Sequence, residues 1–328
     1  MVGKLLSVLA AIALSNALSN AAMAASPPLQ TYVQAPGPSG PLKGTMLAPA
    51  GGGPMVLIIP GSGPTDRDGN NPLGVKASTY RLLAEGLAAR DVGTVRIDKR
   101  GMFASAGAVA DGNAVTIDDY VTDVQAWIAV IRKQTNVPCV WVLGHSEGGL
   151  VALAAAQKAT DICGLLLVAA AGRPLGEVMR AQLRANPANA PILDQAIASI
   201  DSLEAGKRVD VSAMHPALAQ LFAPAVQGFL INVMSYDPTR LIAGVSKPVL
   251  ILQGRRDMQV SVADAEQLKR ADLKAELVLL PDTNHVLKTV TSDDRRANGA
   301  TYADPSLPLA PGVVDAVANF IAASAQSR

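Results

Sequence analysis

From Met55 onward, short unbroken apolar runs alternate with longer segments of helical periodicity: MVLII, TYRLLAEGLAARDV, GTVRID, IDDYVTDVQAWIAVIRKQ, CVWVLGH, GLVALAAAQKA and GLLLVAAAG follow one another. Runs that are apolar at every position, not at every second one, suit strands covered on both faces, and the periodic segments between them supply the covering helices. This order predicts an α/β architecture with a mostly parallel sheet. The alternation pauses from about 174 to 244, where GEVMRAQLRAN, PILDQAIASIDSLEA and HPALAQLFAPAVQGFLINVMSY carry helical spacing with no strand run among them. A helical insertion within one domain is therefore expected. Strand and helix then resume with PVLILQGRRD and AELVLLPDTNH and close with GVVDAVANFIAASA. The Pro/Gly/Ser-rich SPPLQTYVQAPGPSGP predicts an exposed lead-in or hairpin that precedes the fold proper.

Residues 1–24 are set apart from the fold. Lys4, an apolar run from Leu5 to Leu14, and Ala22-Met23-Ala24 have the three-part order of a signal peptide, with cleavage expected after Ala24 and a mature domain over 25–328. A membrane anchor needs about 20 continuous apolar residues, and Ser15 and Asn16 interrupt this run. Export to the periplasm or the medium is the expectation, with no stable membrane anchor after cleavage. With 28 Lys and Arg against 27 Asp and Glu, and no basic run, the chain lacks the footprint of a nucleic-acid binder. Cys139 and Cys163 have two readings: small buried apolar residues, or a bridge formed in an oxidising compartment. Neither has a CxxC partner, so no metal site is expected.

Gly144-His145-Ser146-Glu147-Gly148 satisfies G-x-S-x-G, with a predicted strand running in and a helix running out. Small residues there permit the tight turn that lifts a serine hydroxyl above the sheet. A serine hydroxyl is a weak nucleophile until a base takes its proton, and the chain has 3 histidines. His145 adjoins the serine and is expected to be a packed or exposed neighbour; His215 begins a helix of the insertion. His285 follows the last predicted strand and is the remaining base. The acid should lie on the same sheet edge and precede it. Asp257, just past ILQGRRD's strand, fits the order Ser, Asp, His. Asp98 also ends a strand and is the rival, although DKRG reads equally as a structural turn tied by Arg100. Asp282 lies too near His285 along the chain and reads as a turn residue.

Acyl transfer further requires donors for a developing oxyanion. The amide of Glu147, next after the serine, is one. The other is expected from Pro60-Gly61-Ser62-Gly63, at Ser62 with Gly61 as the near alternative, because small residues allow close backbone approach. Asp66 to Asn70 resembles a calcium loop only superficially, since the glycine and glutamate places of an EF-hand are not met; a turn in which Arg67 bridges carboxylates is expected instead.

Taken together, IIPGSGPTDRDGNN, DKRG, GHSEGG, the GRRD strand end and the terminal NH dipeptide resemble the α/β-hydrolase superfamily, and within it the bacterial carboxylesterases of the serine aminopeptidase-like group. The similarity runs over about residues 40–325. It implies an eight-stranded, mostly parallel sheet, a helical cap between strands six and seven, no cofactor, and Ser146, Asp257 and His285 as triad. The chain departs from the family pattern at Met102-Phe103-Ala104-Ser105, where a second glycine is common; substrate preference, not mechanism, is affected. A serine carboxylesterase acting on small esters of short to medium acyl chains follows, with Ser62 and Glu147 as oxyanion hole. The alternatives are an aminopeptidase or amidase, a thioesterase, or a non-catalytic binding protein. An aminopeptidase would need cap carboxylates, for which Glu177, Asp194, Asp201 and Glu204 are candidates. Met179, Met214, Phe222, Phe229, Leu230 and Met234 are the apolar cap residues available to line a pocket, most of them expected in the cap's own core. Dehalogenase and epoxide-hydrolase chemistry would need Asp in place of Ser146.

Overall fold

Strand side chains point alternately to opposite faces, and here each face has its own core. Leu57, Ile59, Val140, Val142, Leu165 and Leu167 enter one core, while Val56, Ile58, Trp141, Leu143, Leu166 and Val168 enter the other. This double burial is why the runs are apolar at every position. The computed structural model describes residues 30–49 and 51–326, so the leader expected at 1–24 lies outside the described residues.

The strands are β1 (Gln30–Ala35), β2 (Leu42–Leu47), β3 (Met55–Ile59), β4 (Gly93–Ile97), β5 (Val140–His145), β6 (Ile162–Val168), β7 (Val249–Gly254) and β8 (Glu276–Leu280). They form one eight-stranded sheet in the order β1-β2-β4-β3-β5-β6-β7-β8. From β3 to β8 every pairing is parallel. The lead-in expected to precede the fold belongs to it instead: β1 and β2 are an antiparallel hairpin, and β2 pairs antiparallel with β4. Val33, Ala35, Leu42 and Met46 are buried in the first core, and that burial holds the hairpin on the sheet.

Helices α1 (Thr79–Ala88), α2 (Ile117–Thr135) and α3 (Glu147–Ala156) follow β3, β4 and β5; α9 (Val262–Ala271) follows β7. Beyond β8 come α10 (Arg295–Ala300) and α11 (Val313–Gln326). α1 and α11 cover one face through Tyr80, Leu83, Leu87, Val313, Val317 and Phe320. α2 and α3 cover the other, Trp127 being fully buried. α2 begins with a Thr116/Asp119 capping box and carries Arg132 and Lys133 in its last turn, so both ends are matched to the helix dipole.

Between β6 and β7 the chain is helical: α4 (Leu175–Ala185), α5 (Leu193–Glu204), α6 (Pro216–Leu221), α7 (Gln227–Met234) and α8 (Pro238–Ala243). This insertion has a small core of its own, built on Ala196, Ile200, Leu203, Leu218, Phe222 and Met234, against which Met214 packs. Asp201 and Glu204 are paired with Arg180, and Glu177 and Asp194 are exposed.

The cysteines are not two separate apolar residues. Cys139 and Cys163 form a disulfide with Cα atoms 5.1 Å apart, stitching the start of β5 to β6.

Candidate active site

Ser146 sits between β5 and α3 with φ 54° and ψ −120°, a conformation that costs a non-glycine residue about 1–3 kcal/mol. The flanking glycines make the turn possible. A Cβ on Gly144 would lie 2.1 Å from the Gly148 carbonyl oxygen, and one on Gly148 would lie 2.4 Å from the Ile59 carbonyl oxygen. The Ser146 side chain does not cap α3, so the helix makes no use of its hydroxyl.

His285 lies at the tip of a short loop closed by a Thr283–Thr289 bridge. The Asn284 amide donates to the Lys288 carbonyl, and the Leu287 amide to the Asn284 carbonyl. His285 Nδ1 donates to Asp257 Oδ2 at 2.8 Å. Asp257 follows β7 with its side chain 0% exposed; Oδ1 accepts from the Gln259 and Val260 amides at 2.8 and 2.9 Å, and Oδ2 also accepts from Gln253 Nε2 at 3.2 Å. Burial by itself raises a carboxyl pKa, but His285 and these amides outweigh it and hold Asp257 below the usual range. Ser146 and His285 line one cavity, together with Gly61, Ser62 and Tyr80.

The rival acids lie elsewhere. Asp98 is buried and held by Arg67, through the backbone amide at 2.9 Å and through Nη2 at 2.5 Å. Arg100, expected to tie that turn, instead reaches Asp123 and Asp119 of α2. Arg67 therefore holds one carboxylate where a bridge between several was expected, and Asp68 pairs with Arg96. Asp282 receives the Val290 amide on its carbonyl as a turn residue. His215 caps α6 and is exposed.

Of the two candidate amides on the oxyanion loop, Gly61 is committed, donating to Tyr80 Oη at 3.0 Å. Ser62 borders the site beside Ser146 and Glu147. Glu147 is the first residue of α3, where amides have no intrahelical acceptor. Two buried devices that sequence reasoning missed hold this region. Lys99, its side chain 3% exposed, donates Nζ to the Gly61 carbonyl at 2.7 Å and to Glu147 Oε1 at 3.0 Å, so one cation spans both sides of the candidate oxyanion hole. The second runs through His145. Its Nε2 lies 2.8 Å from the His285 carbonyl and its Nδ1 2.9 Å from Tyr80 Oη. A carbonyl only accepts, so Nε2 carries the proton, Nδ1 is an acceptor, and Tyr80 donates to it while accepting from Gly61. Burial, followed by the neighbouring His285, lowers the His145 pKa to about 3, which keeps it neutral in this chain. The candidate oxyanion loop is thus tied through two side chains to the backbone of His285.

A second cavity opens on the other side of Ser146. Met179, Phe229 and Leu230 of the insertion line it, whereas Met214, Phe222 and Met234 stay with the insertion's core.

A parallel sheet with helices on both faces, a serine on a strained strand-to-helix turn, and a His-Asp pair on the loops after the last two strands define an α/β hydrolase. The family model described as Serine aminopeptidase, S33 matches residues 73–289, well over half of the chain, and the protein belongs to that family. It is 27% identical over 255 residues to Esterase EstD of Thermotoga maritima, an alignment that takes in 75% of this chain and 58% of EstD. Among solved structures it is similar in fold to Est1E from Butyrivibrio proteoclasticus with ferulic acid bound, at a TM-score of 0.56, 17% identity and coverage of 90% and 99% of the two chains. The esterase Pf2001 of Pyrococcus furiosus is similar at a TM-score of 0.54, 14% identity and coverage of 90% and 93%.

Proposed function

We propose that the protein is a serine carboxylesterase in which Ser146 attacks the ester carbonyl, His285 takes the serine proton and passes it to the departing alcohol, and Asp257 orients the imidazole. The amides of Ser62 and Glu147 receive the oxyanion, each worth about 3 kcal/mol in the transition state. Water then releases the acid by the same steps in reverse. The observation that carries this is the 2.8 Å contact of His285 Nδ1 with Asp257, on a histidine that shares a cavity with Ser146. The esterase names of EstD, Est1E and Pf2001 support it. Short to medium acyl esters are the proposed range, with the insertion acting as a cap.

The family description favours a second reading, aminopeptidase action. The free amine of a peptide needs a carboxylate, and the only acidic residue bordering either cavity, among the described residues, is Glu147, already paired with Lys99. Ester cleavage is therefore ranked first. Export of the mature domain 25–328 after removal of 1–24 is also proposed, and the disulfide supports an oxidising destination. Hydrolysis of p-nitrophenyl esters from acetate to octanoate, compared with aminoacyl anilides, tests the assignment. Ester turnover that Ser146→Ala abolishes is expected; faster anilide cleavage would reverse the ranking.

A further inference from the structure

Resting on the ester-hydrolase reading, we infer that the substrate is an ester of an apolar acid with a small neutral polyhydroxy alcohol, the acyl group seated under the helical insertion and the alcohol beside His285. Two cavities meet at Ser146 and share Ser62, Gly63, Ser146 and Gln259 as walls. One, of about 400 Å³, is walled by Leu175, Val178, Met179, Leu221, Phe229 and Leu230. Its two charged wall residues are neutralised, Glu147 by Lys99 and Arg173 by Asp264. The other, of about 280 Å³, mixes Leu73, Val75 and Val286 with Thr65, Asn71, Gln259, His285 and Tyr302; it is the more polar of the two and has no Asp, Glu, Lys or Arg on its wall.

The chemistry decides which part of the ester goes where. As the bond from the carbonyl carbon to the alcohol oxygen breaks, that oxygen must receive the proton removed from Ser146, so it must lie beside His285. His285 borders only the more polar, uncharged cavity, and Glu147, with its oxyanion amide, borders only the apolar one. The alcohol therefore occupies the polar side. The acyl carbon, now bonded to Ser146 Oγ, extends to the apolar side until water replaces the serine oxygen and returns its proton.

The polar wall offers uncharged donors and acceptors together. Tyr302 Oη accepts from Gln259 Nε2 at 3.1 Å and keeps its own proton to donate; burial pushes that phenol up to about 12, so it is protonated at neutral pH. Asn71 Oδ1 is occupied by the Leu73 and Val75 amides at 2.9 and 3.3 Å, which leaves its NH2 as the donor. Thr65 Oγ1 donates to the Ser62 carbonyl at 3.0 Å and retains lone pairs to accept. Hydroxyl groups both donate and accept without charge, whereas an amine or carboxylate would need a counter-charge that this wall lacks.

The test offers the purified protein three butyrate esters with a common acyl group: monobutyrylglycerol, a monobutyrylated glucose and butyl butyrate. At least one polyol ester is expected to exceed butyl butyrate by about tenfold or more in kcat/KM, the faster of the two naming the polyol. Butyl butyrate cleaved as fast as both, or faster, overturns the inference. Tyr302→Phe, which removes a single oxygen, is expected to cut the polyol preference about tenfold; an unchanged preference in a variant that melts like the parent also overturns it. Leu230→Trp is expected to lower the octanoate-to-acetate ratio on p-nitrophenyl esters, and a change confined to alcohol preference would reverse the two cavities. Failure of the underlying reading is distinct: p-nitrophenyl butyrate would then be cleaved no faster by the protein than by Ser146→Ala.

Discussion

The turn that carries Ser146 and the loop that carries His285 are held in opposite ways. The serine turn is enforced largely by its own neighbours: a Cβ on Gly144 would strike the Gly148 carbonyl four residues on, and only Gly148 faces outward, against the Ile59 carbonyl at the β3 end. The His285 loop is held from far away. Thr79 of α1 donates to the Val286 carbonyl at 2.9 Å across 207 residues, and His145 holds the His285 carbonyl. Asn284 reaches Thr301 at 2.7 Å and Asn298 at 3.2 Å, beside and within α10, and the buried Lys288 donates to the Leu307 carbonyl. The difference teaches that strain can be stored locally by sterics, whereas a histidine that meets a carboxylate and a serine from the ends of other strands is placed by the whole fold.

Breaking the local side should cost most. Gly144→Ala places a Cβ 2.1 Å from the Gly148 carbonyl oxygen, against backbone that cannot yield, and a loss of about 3 kcal/mol or more is expected in a urea titration, with ester turnover lost. A parent-like midpoint would show that the turn has slack. Reduction of the Cys139–Cys163 bridge removes a tie of sequence separation 24, worth about 3 kcal/mol. It acts at the β5 end remote from Ser146, so the melting temperature should fall while the specific activity of the folded fraction holds. An equal loss of both would mean that the serine turn depends on the bridge.

The distant side is probed by Tyr80→Phe, which strips the Gly61 amide of its acceptor and His145 of its donor. About 2 kcal/mol of stability is expected to go, with kcat falling more than KM rises because two positioning ties are cut. Smaller again per step is the response to acid. His145 has a folded pKa of about 3 against an ordinary 6.5, so between those values the unfolded chain binds the proton and the folded one does not. Stability is fully present above pH 6.5 and falls by about 1.4 kcal/mol per unit below it. Asp257, held below the ordinary 3.8, adds its own loss as pH falls through and below that value. Denaturation midpoints between pH 7 and 4 measure the slope, and His145→Gln should flatten it; an unchanged slope would assign the acid response to other groups.

Much of the scaffold was readable from the pattern of apolar residues. Leu57 and Val56, or Val142 and Leu143, are both apolar because each faces a separate core, and such runs announce two covered faces. The β1–β2 hairpin is harder to read from sequence because its Pro/Gly/Ser-rich turn speaks louder than the four residues it places in the first core. At the site, Ser146, Asp257 and His285 were nominated by motif, position after a strand, and elimination. Lys99 and Tyr80 were not, because a lysine and a tyrosine in amphipathic sequence look the same whether they end in solvent or beneath a loop. His145 reads as a mere neighbour for the same reason, although a histidine between a buried strand and a serine turn is itself a sign of ring nitrogens with buried partners. Asp98 ends a strand as Asp257 does, and only the fold separates the two, by pairing Asp98 with Arg67 and Asp257 with His285.

By itself the sequence determined what acts over a few residues: which segments are strands with two buried faces, where helices begin, and that residue 146 must turn sharply between two glycines. These follow from sterics and periodicity, which are properties of neighbours along the chain. Tertiary structure alone decided that the residues after β5, β7 and β8 converge, that Cys139 and Cys163 bridge, and that one lysine and one tyrosine clasp the Gly61 loop. It also divided the space around Ser146 into an apolar side under the insertion and a more polar, uncharged side beside His285. Those outcomes depend on distances between segments remote in sequence, and only the packed sheet, by burying groups that must then find partners, brings them within reach.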